Sequence, residues 1–212
     1  NMTCKEYRDI ATLKCSPNSG MLALIFLIYS AITSVTSFSM DTSDIEDKTI
    51  LLIILFMTII SSAIGLFIMG QMNYGLHYVI KENYEESKPQ VKNLFIGFNN
   101  YWKCFLINLL QGVYILLWSL LFIIPGIIKA IAYSMAYFVS IDNPELSANE
   151  CITRSKEMMV GYKGKSFAIA FSYLGWLILC VLTLGIIIFW VSPKMYTAQY
   201  ELYRQIKEKQ SW

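Results

Sequence analysis

The stretch WSLLFIIPGIIKAIAYSMAYFV, residues 118–139, is a nearly continuous apolar run with Pro-Gly at its centre and one lysine just beyond. A single helix over 104–141 would be about 57 Å long at 1.5 Å per residue, roughly twice the hydrocarbon thickness of a bilayer. Two spans joined at IIPGII fit that thickness, with Pro125 at the first position of the second helix, where its missing N–H costs nothing. The stretch therefore predicts a transmembrane hairpin.

The composition of the whole chain is that of an all-α polytopic membrane protein. Of its 212 residues 56% are apolar and 15% charged, and the mean hydropathy is +0.49. A soluble domain carries about a quarter charged residues, and the alternating pattern of a membrane β-barrel is absent. The five cysteines contain no CxxC pair, which favours reduced thiols over zinc or disulfides. We expect one membrane domain over 2–212, with neither cofactor nor metal.

Six spans are predicted, because the last apolar block repeats the first stretch. Residues 176–196, WLILCVLTLGIIIFWVSPKMY, resemble 118–137: each has a tryptophan before Gly-Ile-Ile and a tyrosine eleven residues after that glycine. The block is therefore divided at Gly185, and its second span is expected to bend at Pro193. The spans, as three hairpins, are 21–38, 49–70, 104–124, 125–142, 166–183 and 185–203.

Polar segments flank these spans. Connectors cover 81–103 and 143–165, and the second span is expected to continue as a helix beyond 70 into water. Short amphipathic helices near 3–15 and 146–159 are expected at the membrane surface. The latter begins with a capping-box pattern, Ser147-x-x-Glu150.

Basic residues gather on one side of this arrangement. With six spans, both termini, both connectors and the basic tail lie on one side of the membrane. The acidic loop 39–48 and the two tight turns lie on the other side. Five spans would leave the tail's cations on the outer side: Lys194, Arg204, Lys207 and Lys209. Because Lys and Arg are enriched in cytoplasmic loops, both termini are predicted to be cytoplasmic.

Four motifs carry a resemblance to a known family. They are LFIGF (94–98), LLWSLLFIIPGIIKAIAYSMA (116–136), DNPELSANECITRSKEMMVGYK (142–163) and LGW…LTLGI…W…P (174–193). Over about 90–205 the chain resembles the bacterial multi-pass membrane family called domain of unknown function nine-seventy-five. The resemblance implies a multi-pass fold in the bacterial cytoplasmic membrane, and it implies no particular activity.

Lys129 is the first candidate for a binding residue, since charge inside a bilayer is costly and usually functional. It lies about one turn beyond the predicted hairpin tip, so its ammonium can snorkel to the outer headgroups, which is the interpretation we favour. The alternative is contact with a substrate or lipid headgroup. Tyr133 and Tyr137 share its helix face, which either lines a polar crevice or packs rings within the bundle.

Polar residues of the third span and the second connector are the other candidates. Asn108 and Gln111 are expected to bond to neighbouring helices or, alternatively, to line a permeation path. Gly65, Gly70 and Gly75 indicate close helix packing, although their spacing differs from GxxxG. The connector's cations are candidates for anionic lipid heads: Arg154, Lys156, Lys163 and Lys165.

No residue pattern predicts an enzyme. A nucleophile with a base, converging carboxylates and phosphate-binding glycine loops are all absent, and the interiors of the spans are expected to hold no Asp, Glu or His. We expect a non-enzymatic protein that binds lipids, a small amphiphile or a partner membrane protein, as a transporter-like or accessory subunit or a homo-oligomer, without nucleic acid. The rival is an enzyme acting on lipid headgroups through Glu145, Glu150 or His77.

Overall fold

The protein is all helical in the computed structural model, which describes residues 2–35, 48–85, 88–173, 175–176, 180, 183 and 185–210. No β-strand occurs in these ranges. Two 3₁₀ segments, Ser16–Asn18 and Val91–Asn100, precede the second and fourth helices. The helices are α1 (Cys4–Cys15), α2 (Ser19–Val35), α3 (Lys48–Tyr84), α4 (Tyr101–Leu121), α5 (Ile123–Tyr133), α6 (Ala136–Asp142), α7 (Ala148–Met158), α8 (Lys163–Ser172) and α9 (Ile188–Gln210).

Four helical segments of the described chain are long and apolar enough to cross a membrane. They are Cys4–Ser34, Lys48–Tyr84, Val91–Leu120 and Ile123–Asp142. The predicted span 166–183 begins in α8 and then lies partly outside the described residues. The span 185–203 corresponds to most of α9, with Pro193 inside the helix. The six-span count and the three-hairpin arrangement stay predictions.

Helix α3 divides into an exposed part and a buried part. Its residues before Gly70 are mostly apolar and, apart from Gly65, are at least partly exposed, whereas most residues from Gly70 to Tyr84 are buried. The predicted helical continuation beyond 70 is confirmed, but it packs inside the protein rather than extending into water. The described core therefore lies at the carboxyl end of α3, and the amino-terminal part of α3 stands out from it.

Glycines let backbones meet at this core. A Cβ added to Gly75 would lie 1.8 Å from the Leu94 carbonyl oxygen, and one added to Gly97 would lie 2.2 Å from that of Gln71. The 3₁₀ segment Val91–Asn100 is thus held directly against α3. A Cβ at Gly70 would meet the Cys104 carbonyl of α4 at 2.4 Å, so the close packing expected at Gly70 and Gly75 is confirmed.

Helices α4 and α5 run antiparallel from a break at Phe122. The extended backbone of Phe122 separates them, its N–H donates to the Trp118 carbonyl, and its own carbonyl accepts from the Gly126 N–H. Gly126 lies against Ser119 of α4. The turn therefore falls at Phe122, and Pro125 is the third residue of α5, not the first as predicted. Its missing N–H is still one that the helix would leave unpaired.

The predicted span 125–142 is not one helix but two, because a turn at Ser134 and Met135 separates α5 from α6. The buried Ser155 hydroxyl of α7 donates to the Ala132 carbonyl over 2.8 Å and accepts from the Met135 N–H over 3.2 Å. One side chain thus satisfies a backbone donor and a backbone acceptor at the break, where unpaired groups would cost free energy. Helix α7 is fixed to the hairpin at this point.

The amphipathic helices expected near 3–15 and 146–159 are confirmed as α1 and α7. Thr3 with Glu6, and Ser147 with Glu150, form capping boxes at their starts. The buried face of α1 lies on α9, where Tyr7 bonds to Gln205 and Cys15 to Thr197. Their position at the membrane surface stays a prediction.

We expect Gly75→Ala to lower the melting temperature of the detergent-solubilised protein by several degrees. Overpacking of this kind costs roughly 1–3 kcal/mol, because the new methyl group meets backbone that cannot rotate away. Gly112→Ala is the matched control: it is a helical glycine with no atom within 4 Å of the added Cβ, and replacement should leave stability unchanged or raise it slightly. A Gly75→Ala protein as stable as the control would contradict the packing described.

Candidate functional site

The polar residues predicted in the third span contact α5 and α6 across the helix interface. The Tyr137 hydroxyl donates to Asn108 Oδ1 over 3.5 Å, and Gln111 Nε2 donates to the Tyr133 carbonyl over 3.0 Å. Both tyrosine side chains are buried. These are two separate hydrogen bonds between neighbouring helices. They favour the interpretation that Asn108 and Gln111 hold helices together over the alternative that they line a permeation path.

A buried polar cluster that includes His77 lies beside the Tyr137–Asn108 hydrogen bond. The Tyr29 hydroxyl donates to Asn73 Oδ1 over 2.7 Å, and His77 Nδ1 lies 2.7 Å from the Asn73 carbonyl oxygen. Rings enclose the imidazole at centroid distances of 5.1, 4.7 and 5.4 Å; they belong to Tyr137, Phe138 and Tyr196. Together with the Tyr29–Asn73 bond, these ring contacts pack α2, α3, α6 and α9 against one another. Neither Glu145 nor Glu150, the carboxylates of the rival enzyme hypothesis, is among these contacts.

Lys129 lies on the same interface, nearer the turn, and its surroundings are cationic. Its Nζ is 4.3 Å from the centre of the Trp118 ring, a cation–π distance. Lys156 lies on α7 and Lys163 on α8, and both of these helices pack against α5. Within the described ranges none of these three lysines forms an ion pair with a carboxylate. Three helices thus bring uncompensated cations together.

The four basic connector residues divide between two faces of the protein. Lys156 and Lys163 lie towards α5, as described above. Arg154 faces the opposite way and lines a small pocket with Tyr203 and Lys207 of α9. Lys165 lies 5.7 Å from the Tyr162 ring centre. They therefore do not form one basic patch.

An apolar groove runs beside the lysines, between α5 and α8. Its volume is about 350 Å³, and Lys163 is the charged residue in its lining. The apolar side chains that line it are Ile124, Ile127, Ile128, Ile131 and Phe167. The groove therefore combines a surface suited to hydrocarbon with a cation at its edge and two more nearby.

A second polar site, which is not among the residues predicted from the sequence, centres on Asp142. This largely buried carboxylate accepts from Lys81 at 2.7 Å, from Lys207 at 2.5 Å and from the Tyr203 hydroxyl at 3.0 Å. The contacts join α3, α6 and α9 beside a cavity of about 390 Å³. The expectation that the predicted spans hold no carboxylate is wrong at their ends, since Asp142 ends one and Glu201 lies in another. An acid directly after an apolar run was the available signal.

The carboxylates of the rival enzyme hypothesis do not converge. Glu150 Oε2 accepts from the Ser147 N–H over 2.7 Å as part of the capping box. Hydrogen bonds from the Ser147 side chain and backbone lower the pKa of Glu150 from its usual value. Glu145 is exposed in the turn before α7. The geometry gives Glu150 a structural role at the start of α7.

The fold and the exposed apolar helices define the class: an all-helical protein with helices able to cross a membrane. A family described as "Protein of unknown function (DUF975)" matches residues 120–210, a segment that includes Lys129, the groove and Asp142. The match confirms the resemblance over this segment, and its extension over 90–119 stays a prediction. Neither the curated proteins nor the solved structures include a match.

We expect Asp142→Asn to destabilise the protein by roughly 1–3 kcal/mol, the usual loss for hydrogen bonds to a charged group. The amide cannot balance Lys81 and Lys207, so two cations are left facing each other. The measurement is thermal unfolding in detergent. Glu208→Gln is the control, because it removes one carboxylate of the exposed Arg204–Glu208 pair, worth about 0–1 kcal/mol. Equal melting temperatures of the two variants would show that Asp142 does not hold the helices together.

Proposed function

We propose that this protein is an integral protein of the bacterial cytoplasmic membrane that binds an anionic amphiphile, in the simplest case a lipid, without catalysing a reaction. One observation carries the proposal: Lys163 lines the apolar groove between α5 and α8. Helix α5 also carries Lys129, and α7, which packs on α5, carries Lys156. Within the described chain none of these three lysines forms an ion pair with a carboxylate. A groove alone suits any acyl chain. The lysines add a preference for a negative headgroup.

The energetics favour an amphiphile over a small polar anion. Each methylene removed from water contributes about 0.8 kcal/mol, although an acyl chain already in a bilayer gains less from the groove. Each lysine near an anionic headgroup contributes on the order of 1 kcal/mol. Within a membrane the groove therefore positions the chain, and the lysines select the charge. Lys129 then acts as a headgroup contact, the alternative to simple snorkelling.

The proposal includes an orientation. Six apolar segments enter the membrane as three hairpins, and both termini and both basic connectors lie on the cytoplasmic side. The basic character of the connectors and of the α9 tail supports this orientation. The lysines at the groove would then meet the inner leaflet, where anionic lipids attract cations.

We expect a Lys129→Gln, Lys163→Gln double variant to retain phosphatidylglycerol about tenfold to a hundredfold less well than the unchanged protein. Loss of charge-assisted contacts worth roughly 1.5–3 kcal/mol corresponds to this change. Native mass spectrometry of gently solubilised protein, titrated with phosphatidylglycerol or phosphatidylcholine, measures it. Phosphatidylcholine binding should change little, since its headgroup has no net charge.

Two variants serve as controls. Lys129→Arg, Lys163→Arg keeps both charges and should retain the anionic lipid. Lys165→Gln removes one charge from the same helix but beside Tyr162, and should bind as the unchanged protein does. Equal retention of phosphatidylglycerol by the Gln and Arg double variants would refute the site. Turnover of a labelled phospholipid that Glu150→Gln abolishes would establish the enzyme instead.

A further inference from the structure

The turn between α4 and α5 has the composition of a segment inside hydrocarbon. Residues 120–128 read LLFIIPGII and contain no polar side chain. Leu120, Phe122 and Ile123 are 83%, 73% and 75% exposed to their surroundings. A turn that reached the aqueous phase would hold these side chains in water, against the hydrophobic effect.

The backbone of the turn is also suited to a place without water. Phe122, the one residue outside helix, has both its N–H and its carbonyl hydrogen-bonded. The start of α5 would leave unpaired donors, and Pro125 removes one of them because it has no N–H. Non-helical backbone in hydrocarbon is tolerated only where such groups are largely satisfied.

The arms of the hairpin are the parts of α4 and α5 between their contacts with α7 and the turn at Phe122. These arms are too short to cross the membrane. The Tyr114 hydroxyl donates to Asn149 Oδ1 over 3.3 Å, and the Ala132 carbonyl accepts from Ser155. Eight residues separate Tyr114 from Phe122, and ten separate Phe122 from Ala132, so the arms extend about 12–15 Å beyond α7. The hydrocarbon core is about 30 Å thick.

The depth of the hairpin is measured from α7 because α7 is predicted to lie at the membrane surface. Its Thr153, Lys156 and Glu157 are exposed, and charged side chains are costly in hydrocarbon. Lys129 lies on the hairpin arm α5, against which α7 with Lys156 and α8 with Lys163 pack. By contrast, 22 residues separate Lys48 from Gly70 on α3, about 33 Å, which is enough to cross.

We propose that the α4–α5 hairpin is re-entrant: it enters the acyl chains of the cytoplasmic leaflet from the connector side and turns back near the bilayer midplane. This inference rests on the orientation in the proposed function, and it changes one part of it. The second hairpin penetrates the membrane but does not cross it. The α5–α8 groove then opens to lipid of the cytoplasmic leaflet alone.

The first experiment labels single introduced cysteines in intact cells with a membrane-impermeant maleimide. Ile124→Cys tests the turn, where the side chain is 71% exposed and substitution costs little packing. Thr49→Cys, at the outer end of α3, is the positive control, and the unchanged protein gives the baseline of the native cysteines. We expect labelling of Thr49→Cys and only baseline labelling of Ile124→Cys. Labelling of Ile124→Cys to the extent of the control would overturn the proposal.

The second experiment measures depth. Ile124→Cys, with the five native cysteines replaced by alanine, carries a nitroxide and is reconstituted in vesicles. Collisions with oxygen should greatly exceed collisions with a water-soluble nickel chelate, as at the midplane, whereas the reverse would place the turn in headgroups and reject re-entry. Lipid retention by the Lys129 and Lys163 variants is measured in solubilised protein. A negative result in the depth experiment therefore does not refute the lipid site. A negative result in the lipid-retention experiment does not refute the re-entrant hairpin.

Discussion

The two hydrogen bonds of the Ser155 hydroxyl determine where a charged helix sits on an apolar hairpin. The break between α5 and α6 frees a carbonyl and an N–H of residues buried in the protein, where unpaired backbone groups cost free energy. Ser155 satisfies both and so draws α7 against the hairpin. Helix α7 carries Lys156. After the turn that follows α7, α8 begins at Lys163, which lies beside α5. The lysine group, the groove and the reach of the hairpin all depend on this contact.

The apolar helices and the start of α7 could be predicted from the sequence, whereas the start of α5 and the break after it could not. Long apolar runs in a chain with few charges favour helices, and the apolar first half of α3 fits this rule. The start of α7 follows from Ser147 and Glu150, which pair locally. These features depend on residues within a few positions of each other, and local patterns carry that information.

The contacts that build the candidate sites depend on residues far apart in the chain. No local pattern marks Ser134–Met135 as a break, because the group that makes it tolerable, Ser155, comes twenty residues later. The sequence indicated Asp142 only as the end of a span. Its ion pairs could not be predicted, because Lys81 and Lys207 lie more than sixty residues away on either side. Lys129 could be recognised as unusual, but its lysine neighbours could not be identified.

The Asp142 contact also orders the events of synthesis. Lys81 is synthesised first, Asp142 follows 61 residues later, and Lys207 follows after another 65 residues. Helix α1, at the opposite end, meets α9 through Tyr7 and Gln205. Helix α9 must therefore be made before α1 can pack on it or Asp142 can gain its second lysine. Until α9 is made, Lys81 is the one lysine available to Asp142.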